Sequence, residues 1–217
     1  MHDTAQQNAM RFIETYIEGK DKNLLDIGSC NYQEGAFTFK EGLKGKDITY
    51  IGADFANGNN VDIVLESDIL LPFGDNSIDY VVSSSCFEHC ELFWAVYIEI
   101  MRVLKPDGLF YLNAPSNGVF HRYPQDCWRF YPDSGKALIR WGKMYKYRNI
   151  LLESYTSEKV NDIWEDYVAV FLKDETHLDK HPRRIVDYFE DHKYATVHPH
   201  KHFISYRDWE TDRKSVV

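Results

Sequence analysis

The sequence of 217 residues contains no apolar run that approaches the roughly 20 residues needed by a membrane-spanning helix. Its first residues have neither a basic start nor an apolar stretch, so they do not predict a secretion signal. Basic residues are outnumbered: 25 Lys and Arg face 34 Asp and Glu, giving a formal net charge of −9. This balance argues against a general nucleic-acid binder, which usually needs a basic surface. We therefore expect a cytoplasmic protein with no membrane span and no nucleic-acid partner.

Cysteine is also scarce, and the four present lack the paired spacing of a zinc site. Cys86 and Cys90 can share a helix face with His89 nearby, but no second pair of ligands accompanies them. We therefore expect reduced cysteines and no metal. The sequence has no repeats and no linker rich in Pro, Gly or Ser, and 44% of its residues are hydrophobic. Disorder is thus excluded as the general state of the chain.

Short apolar runs bounded by turn residues predict β-strands, and apolar residues at helical spacing predict helices over residues 5–19 and 93–104. Pro106-Asp107-Gly108 should end the second helix. Because the runs are continuous rather than alternating, they indicate strands buried on both faces of a parallel sheet. We predict an α/β, Rossmann-like fold with a seven-stranded, mostly parallel sheet and helices on both faces. The predicted strands cover residues 24–27, 48–53, 61–65, 78–82, 109–113, 149–155 and 167–172.

The loop after the first strand is where an open parallel sheet binds its ligand, beyond the carboxyl ends of the strands. Gly28 allows a tight turn there and a close approach of a ligand to the backbone. An acidic side chain in this strand, Asp26, suits a cationic ligand better than a pyrophosphate. Only Gly28 and Gly35 are present where a dinucleotide fingerprint needs three glycines. A nicotinamide-dependent enzyme is therefore disfavoured.

Two further carboxylates follow the second and third strands. Asp54 is positioned to accept hydrogen bonds from the hydroxyls of a ribose. Asp68 can accept a hydrogen bond from an adenine amino group while Ile69 packs against the ring. Each residue alone fits a turn or a helix cap better, and it is the ordered series that points to a nucleoside.

This series resembles class I methyltransferases that use S-adenosylmethionine (SAM). Residues 24–28 are similar to their first motif, 50–54 to the ribose-binding second, and 68–79 to the adenine loop and the following strand. Residues 86–89 and 99–109 resemble the segments that come next, so the likeness covers roughly residues 24–115. The family often has a second glycine where this chain has Cys30, and Tyr32 and Gln33 also replace small residues. The resemblance implies SAM as cofactor, held by Asp26, Gly28, Ser29, Asp54, Asp68, Ile69 and Ser84.

The methyl acceptor should lie near the ends of the fourth and fifth strands. An oxygen acceptor needs a general base. His89 and His121 are the two catalytic candidates, and His121 is preferred because other polar groups surround it. The loop around His121 concentrates polar and aromatic residues, although a packed lid over the sheet would have the same composition. The predicted substrate-binding residues are Arg122, Tyr123, Asp126, Trp128 and Arg129.

The same loop resembles a segment of methyltransferases associated with bacterial surface-polysaccharide synthesis. The resemblance implies a small polar acceptor, such as a glycan or an activated sugar. Two other interpretations stay open, a protein that binds SAM or a nucleoside without catalysis and a nicotinamide-dependent oxidoreductase. The basic residues between 136 and 148 either attract an anionic substrate or form a solvated helix face. The oligomeric state is not predicted.

We expect a methyltransferase domain over residues 1–175 and a C-terminal extension over 176–217. In the extension, residues 185–189 suggest a short amphipathic helix. His198, His200 and His202 alternate around Pro199, which fits an exposed strand or loop better than a metal site. The last six residues, 212–217, look like the translation of a sequencing-library adapter. We therefore expect that they are not native and that the natural C-terminus is missing.

Overall fold

The computed structural model of the protein describes residues 1–32 and 35–199. These residues form one eight-stranded sheet with helices on both faces. The strands are β1 (Lys22–Ile27), β2 (Ile48–Asp54), β3 (Ile63–Val64), β4 (Ile78–Ser84), β5 (Leu104–Pro115), β6 (Ile150–Ser157), β7 (Asp166–Leu172) and β8 (His192–Val197). The α-helices are α1 (Asp3–Tyr16), α2 (Phe39–Gly42), α3 (Phe93–Val103) and α4 (Ser134–Met144). Short 3-10 helices cover Phe87–His89, Glu175–Lys180 and Ile185–Asp187.

The strand order across the sheet is β3-β2-β1-β4-β5-β7-β6-β8. Strands β1 to β5 pair in parallel. β6 has the same direction, because β7 pairs antiparallel with both β5 and β6, and β8 is antiparallel to β6. The chain builds outward from β1 to β3 and then returns to add β4 on the other side of β1. The order therefore reverses between β1 and β4, which is where open α/β sheets bind ligands.

Successive residues of the central strands are buried in different layers, as the pleat of a strand requires. Leu25 and Phe110 belong to the core beneath α3 and α4, whereas Leu24 and Tyr111 belong to the core beneath α1. All four side chains are fully buried. Because both faces are covered, these strands read as continuous apolar runs, and the predicted α/β, mostly parallel sheet is confirmed.

The details of the sheet differ from the prediction in three places. The sheet has eight strands rather than seven, because β8 from the predicted C-terminal extension pairs with β6. β3 comprises only two of the five residues predicted. Pro106-Asp107-Gly108 lies inside β5, which begins at Leu104 directly after α3. The pairing of β5 with β4 shifts register over that stretch, so the proline falls at an irregularity of the ladder.

The predicted amphipathic helix over residues 185–189 is a three-residue 3-10 helix. His198 directly follows β8. His200, His202 and residues 212–217 lie outside the described residues. Among the helices of residues 1–32 and 35–199, none combines the length and the apolar character needed to cross a bilayer.

The chain after β7 is fastened to the sheet by one buried carboxylate, that of Glu153 on β6, which is fully buried. It accepts hydrogen bonds from the backbone N–H groups of Ile185 at 2.8 Å and Val186 at 3.1 Å. It also accepts a short hydrogen bond from the Tyr16 hydroxyl of α1. Arg184, beside it, donates to the carbonyl oxygens of Leu152 at 3.1 Å and of residue 198 at 2.8 Å. The hydrogen bonds of Glu153 and Arg184 thus join β6, α1 and the terminal segment.

We expect Glu153→Ala to lower the free energy of unfolding by about 3 kcal/mol, because the Tyr16 hydroxyl and two backbone N–H groups lose their acceptor. Denaturant unfolding followed by circular dichroism would measure the change. The matched control is Glu175→Ala, which removes an exposed ion pair with Arg148 and should cost less than about 1 kcal/mol. Equal losses for the two variants would contradict the anchoring role of Glu153.

Candidate functional site

A cavity of about 840 Å³ opens at the carboxyl ends of β1, β2 and β4. Its walls come from the loops after these strands, from the loop after β5 and from the N-terminal residues Met1 and His2. A volume of this size is typical of sites for small molecules and cofactors. The cavity lies at the reversal of strand order, where the topology predicts it.

The loop after β1 is held against the neighbouring strand by backbone hydrogen bonds. The N–H groups of Gly28 and Ser29 donate to the carbonyl oxygen of Ala53 at 2.9 and 3.2 Å. Gly28 has a φ of +83°. A methyl group on it would lie 2.6 Å from Cβ of Cys86, in the loop after β4. Glycine is therefore required both by the backbone conformation and by the close approach of the two loops.

Asp54, at the end of β2, faces this loop across the cavity. Its Oδ2 accepts a hydrogen bond from the backbone N–H of Cys30 at 2.9 Å, and its Oδ1 accepts one from that of Ala56 at 3.0 Å. Each carboxylate oxygen can accept about two hydrogen bonds. Both oxygens therefore keep one acceptor position for a ligand, in a cavity that Asp54 helps to line.

Asp26 lies one strand away and is buried. The hydroxyl of Tyr50 donates to its Oδ2 at 2.9 Å, and Asn60 holds Tyr50 in turn at 2.5 Å. Burial raises the pKa of the Asp26 carboxyl to about 7, against the opposing effect of the Tyr50 hydrogen bond. A positive group of a ligand beside Asp26 would favour the ionised form again. This end of the cavity is thus suited to a cation.

Three serine hydroxyls that line the cavity, those of Ser29, Ser84 and Ser85, are buried without a hydrogen-bond partner among the described residues. Buried hydroxyls are nearly always hydrogen-bonded in folded proteins. Their position beside Asp26 and Gly28 gives the cavity donors for a polar ligand that also carries acceptor oxygens.

The far end of the cavity is formed by Glu88, His89 and His121. Glu88 and His89 lie in the 3-10 helix after β4, and Glu88 is only 1% exposed. The loop after β5 folds over them, because the N–H groups of Cys127 and Trp128 donate to the Glu88 carbonyl oxygen at 2.8 and 3.1 Å. Burial raises the pKa of the Glu88 carboxyl to about 8 and lowers the pKa of His89.

The loop that carries His121 contains an ion pair between Arg129 and Asp126. Arg129 donates to Asp126 at 2.5 and 2.8 Å and to the carbonyl oxygen of Val119 at 2.9 Å. Asp126 accepts the backbone N–H of His121 at 2.8 Å. Hydrogen bonds from Arg129 hold the pKa of Asp126 well below its usual range. The pair therefore fixes where His121 stands.

The residues predicted from the sequence divide between the cavity and its surroundings. Of the predicted cofactor-binding residues, Ile69 is half-buried and does not line the cavity, whereas the others do. Tyr123 lines the cavity, but Arg122 is exposed and Trp128 donates through its indole N–H to the Cys90 carbonyl oxygen at 3.0 Å. Asp126 and Arg129 belong to the same loop but do not line the cavity. The predicted residues that line the cavity are Asp26, Gly28, Ser29, Asp54, Asp68, Ser84, His89, His121 and Tyr123.

Several residues that line the cavity belong to no sequence pattern that predicts a functional site. Trp164, between β6 and β7, packs its ring 5.1 Å from that of His121. His2 lies 3.0 Å from the Asp166 carboxylate. Both residues are far from the motifs along the chain. By contrast, the basic residues between 136 and 148 are exposed on and after α4, and none lines the cavity.

Comparisons with known proteins agree with this geometry. Residues 25–112 match a family model described as "Methyltransferase domain". The resemblance to class I methyltransferases is confirmed over those residues. They run from β1 to β5 and include the loops that carry Gly28, Asp54 and Glu88.

The relatives share only part of their length with this chain. A sterol 24-C-methyltransferase of Gibberella zeae is 31% identical over 101 residues, which are 46% of this chain and 22% of that protein. An uncharacterized methyltransferase of Mycobacterium tuberculosis is 29% identical over 123 residues, 51% of this chain and 46% of its own length. The chain thus spans less than half the length of these curated relatives.

Solved methyltransferase structures share the fold. The 1,6-didemethyltoxoflavin-N1-methyltransferase of Burkholderia thailandensis, solved with 1,6-didemethyltoxoflavin and S-adenosylhomocysteine bound, has a TM-score of 0.59 at 16% identity. The alignment covers 80% of this chain and 80% of that one. At this identity the likeness concerns the fold, and it agrees with the Rossmann-like sheet described above.

We expect Gly28→Ala to destabilise the protein by about 2–4 kcal/mol, because a left-handed backbone and a clash with Cys86 add together. Gly45→Ala is the matched control. Gly45 has a similar φ of +84°, but a methyl group on it would have nothing within 4 Å. It should cost about 1 kcal/mol. Urea unfolding of both variants would compare them, and equal losses would show that the β1 and β4 loops do not restrict each other.

Proposed function

We propose that the chain is a SAM-dependent methyltransferase that acts on a small polar acceptor. The observation that carries the proposal is the arrangement of carboxylates around one cavity. Asp26 lies in β1, Asp54 ends β2 and Asp68 follows β3, and all three line the cavity. Glu88, His89 and His121 form its other end. The match of residues 25–112 to a methyltransferase domain supports the same function.

SAM is the cofactor that this set of residues fits. When bound, it supplies an electrophilic methyl group on a sulfonium. Asp54 keeps an acceptor position on each oxygen for the two ribose hydroxyls, and Asp68 can accept a hydrogen bond from the adenine amino group. Asp26 and the unpaired hydroxyls of Ser29 and Ser84 suit the charged amino-acid part. The bound S-adenosylhomocysteine of the Burkholderia thailandensis enzyme supports this choice.

The acceptor end would be built by Glu88, His89 and His121. Methyl transfer from a sulfonium needs no acid for the leaving group, so alignment of the acceptor is the main requirement. An oxygen acceptor must also lose its proton. The imidazole and carboxylate groups at this end of the cavity supply polar contacts for that step. His121 and His89 therefore remain the proposed catalytic residues.

The proposed acceptor is a sugar or activated-sugar hydroxyl in surface-glycan synthesis, and the reaction is proposed for the cytoplasm. Two tyrosines at the cavity support a sugar. Tyr32 is 73% exposed and Tyr123 is 66% exposed, and their ring centroids lie 6.3 Å apart. Exposed aromatic faces of this kind can stack on the apolar face of a sugar ring. The neighbouring Arg122 is exposed beside them and suits an anionic group of an activated sugar.

A protein that binds SAM without catalysis is the alternative. The altered first loop, with Cys30 and Tyr32 in place of small residues, is the observation that favours it. Both functions require SAM binding, but only the enzyme turns over a substrate. SAM binding and methyl transfer must therefore be measured separately.

We expect Asp54→Asn to weaken SAM binding by about 1–3 kcal/mol, because charge-assisted hydrogen bonds to the ribose are lost. Calorimetric titration with SAM would measure the change, and circular dichroism would verify the fold. Asp133→Asn is the matched control, since Asp133 is exposed and pairs with Lys136 away from the cavity. An unchanged dissociation constant for Asp54→Asn would remove Asp54 from the ribose role.

We expect His121→Ala to keep the SAM affinity within about twofold and to lower turnover at least about tenfold. Transfer of labelled methyl groups from SAM to fractionated sugar-nucleotide extracts would measure turnover. His177→Ala, outside the cavity, should leave both quantities unchanged. Full activity of His121→Ala would contradict a catalytic role, and SAM binding without any turnover of the native chain would favour the non-catalytic alternative.

A further inference from the structure

The acceptor end of the cavity concentrates ligands of the kind that metal ions use. Glu88, His89 and His121 each contribute one donor atom, and these three atoms lie within 4.8 Å of one another. Nε2 of His89 is 3.6 Å from Oε1 of Glu88. The two imidazole rings meet edge to face with their centroids 4.9 Å apart. For comparison, ligand atoms of a tetrahedral zinc site are about 3.3 Å apart, given metal–ligand distances near 2.0–2.1 Å.

The hydrogen bonds of Nδ1 set the tautomers of both histidines. Nδ1 of His89 lies 2.5 Å from the carbonyl oxygen of Gln125, and Nδ1 of His121 lies 3.2 Å from that of Val119. A carbonyl oxygen can only accept, so each Nδ1 carries the proton. The lone pair of each neutral ring is then on Nε2. Metal-binding histidines in proteins are fixed in this same way.

Glu88 gives an independent indication of a bound cation. Its side chain is 1% exposed, and its Oε2 has no hydrogen-bond partner among the residues the structure describes. The nearby guanidinium of Arg129 is occupied by Asp126 and by the Val119 carbonyl oxygen. A buried carboxylate is costly unless a charge is paired with it or a metal is bound.

We propose that Glu88, His89 and His121 bind a divalent transition-metal ion. Two imidazoles and one carboxylate suit Zn²⁺, Fe²⁺ or Co²⁺, whereas Mg²⁺ prefers oxygen ligands alone. Three protein ligands leave at least one position of the ion open. All three residues line the cavity, so an oxygen ligand such as water or an acceptor hydroxyl could complete the coordination. The sequence predicted no metal, because Glu88 and His121 are 33 positions apart and no spacing motif joins them.

The ion also changes the roles of the two histidines. Their Nε2 lone pairs bind the metal, so neither ring acts as the base. An acceptor hydroxyl bound to the ion would instead have a lowered pKa, and its proton would pass to water in the cavity. This part rests on the proposed methyl transfer to an oxygen acceptor, whereas the metal site itself does not depend on it.

Titration with Co²⁺ tests the site, since bound Co²⁺ is visible by its d–d absorption. The protein is first stripped with a chelator and carries His200→Gln and His202→Gln, because the His-Pro-His-Lys-His run of residues 198–202 is a competing ligand in the sequence. We expect one equivalent of Co²⁺ to bind and Zn²⁺ to displace it, while excess Mg²⁺ does not.

In that background, Glu88→Gln and His121→Ala should each weaken Co²⁺ binding at least about tenfold. His177→Gln, outside the cluster, should leave it unchanged. His121 lies in the loop after β5. If circular dichroism shows that Glu88→Gln does not fold, His121→Ala still tests whether the cluster binds Co²⁺. No Co²⁺ uptake by the folded protein, or an unchanged affinity in both cluster variants, would overturn the metal site.

SAM titration of the same samples separates the two proposals. SAM binding without Co²⁺ binding would reject the metal site and leave the methyltransferase proposal standing. Co²⁺ binding lost in the cluster variants, together with no SAM binding, would support the metal site and reject the proposed cofactor.

Discussion

The contact between the ends of β1 and β4 is the constraint on which the site depends. Gly28 and Cys86 come so close that no side chain fits on the former. This contact brings the loop that carries Ser29 against the loop that leads to Glu88. One cavity therefore collects groups from both sides of the strand reversal. A larger residue at position 28 would separate the cofactor end of the cavity from the acceptor end, although neither end would lose a functional side chain.

The convergence of carboxylates at the proposed cofactor end of the cavity was predictable, because these residues lie at or just after the ends of strands. A continuous apolar run places the strand, and the carboxyl ends of parallel strands meet at one edge, so Asp26, Asp54 and Asp68 had to converge. The local sequence could not predict what holds them. Tyr50 on β2 donates to Asp26 on β1, and Asn60 of the following loop donates to Tyr50. Each is an ordinary strand or turn residue when read alone.

The acceptor end and the terminal segment were less predictable for the same physical reason. His121, Trp164 and Glu88 come from three loops that periodicity does not describe, and their meeting depends on how the loop after β5 folds back. Likewise, β8 pairs with β6, which lies more than 30 positions earlier in the chain, and Glu153 of β6 also accepts hydrogen bonds from the segment before β8. These features depend on contacts between residues that are far apart along the chain. Such contacts cannot be predicted from a single sequence.

Charge explains why the two ends of the cavity belong to one site. Asp26 and Glu88 are both buried, and for both the loss of water is the main cause of a raised pKa. Apolar side chains at these positions would be cheaper for stability alone. Positive partners would restore the ionised form of both carboxylates. A sulfonium with its ammonium group at one end and a metal ion at the other would supply them, and each would bind more tightly because the surrounding protein has already removed the water.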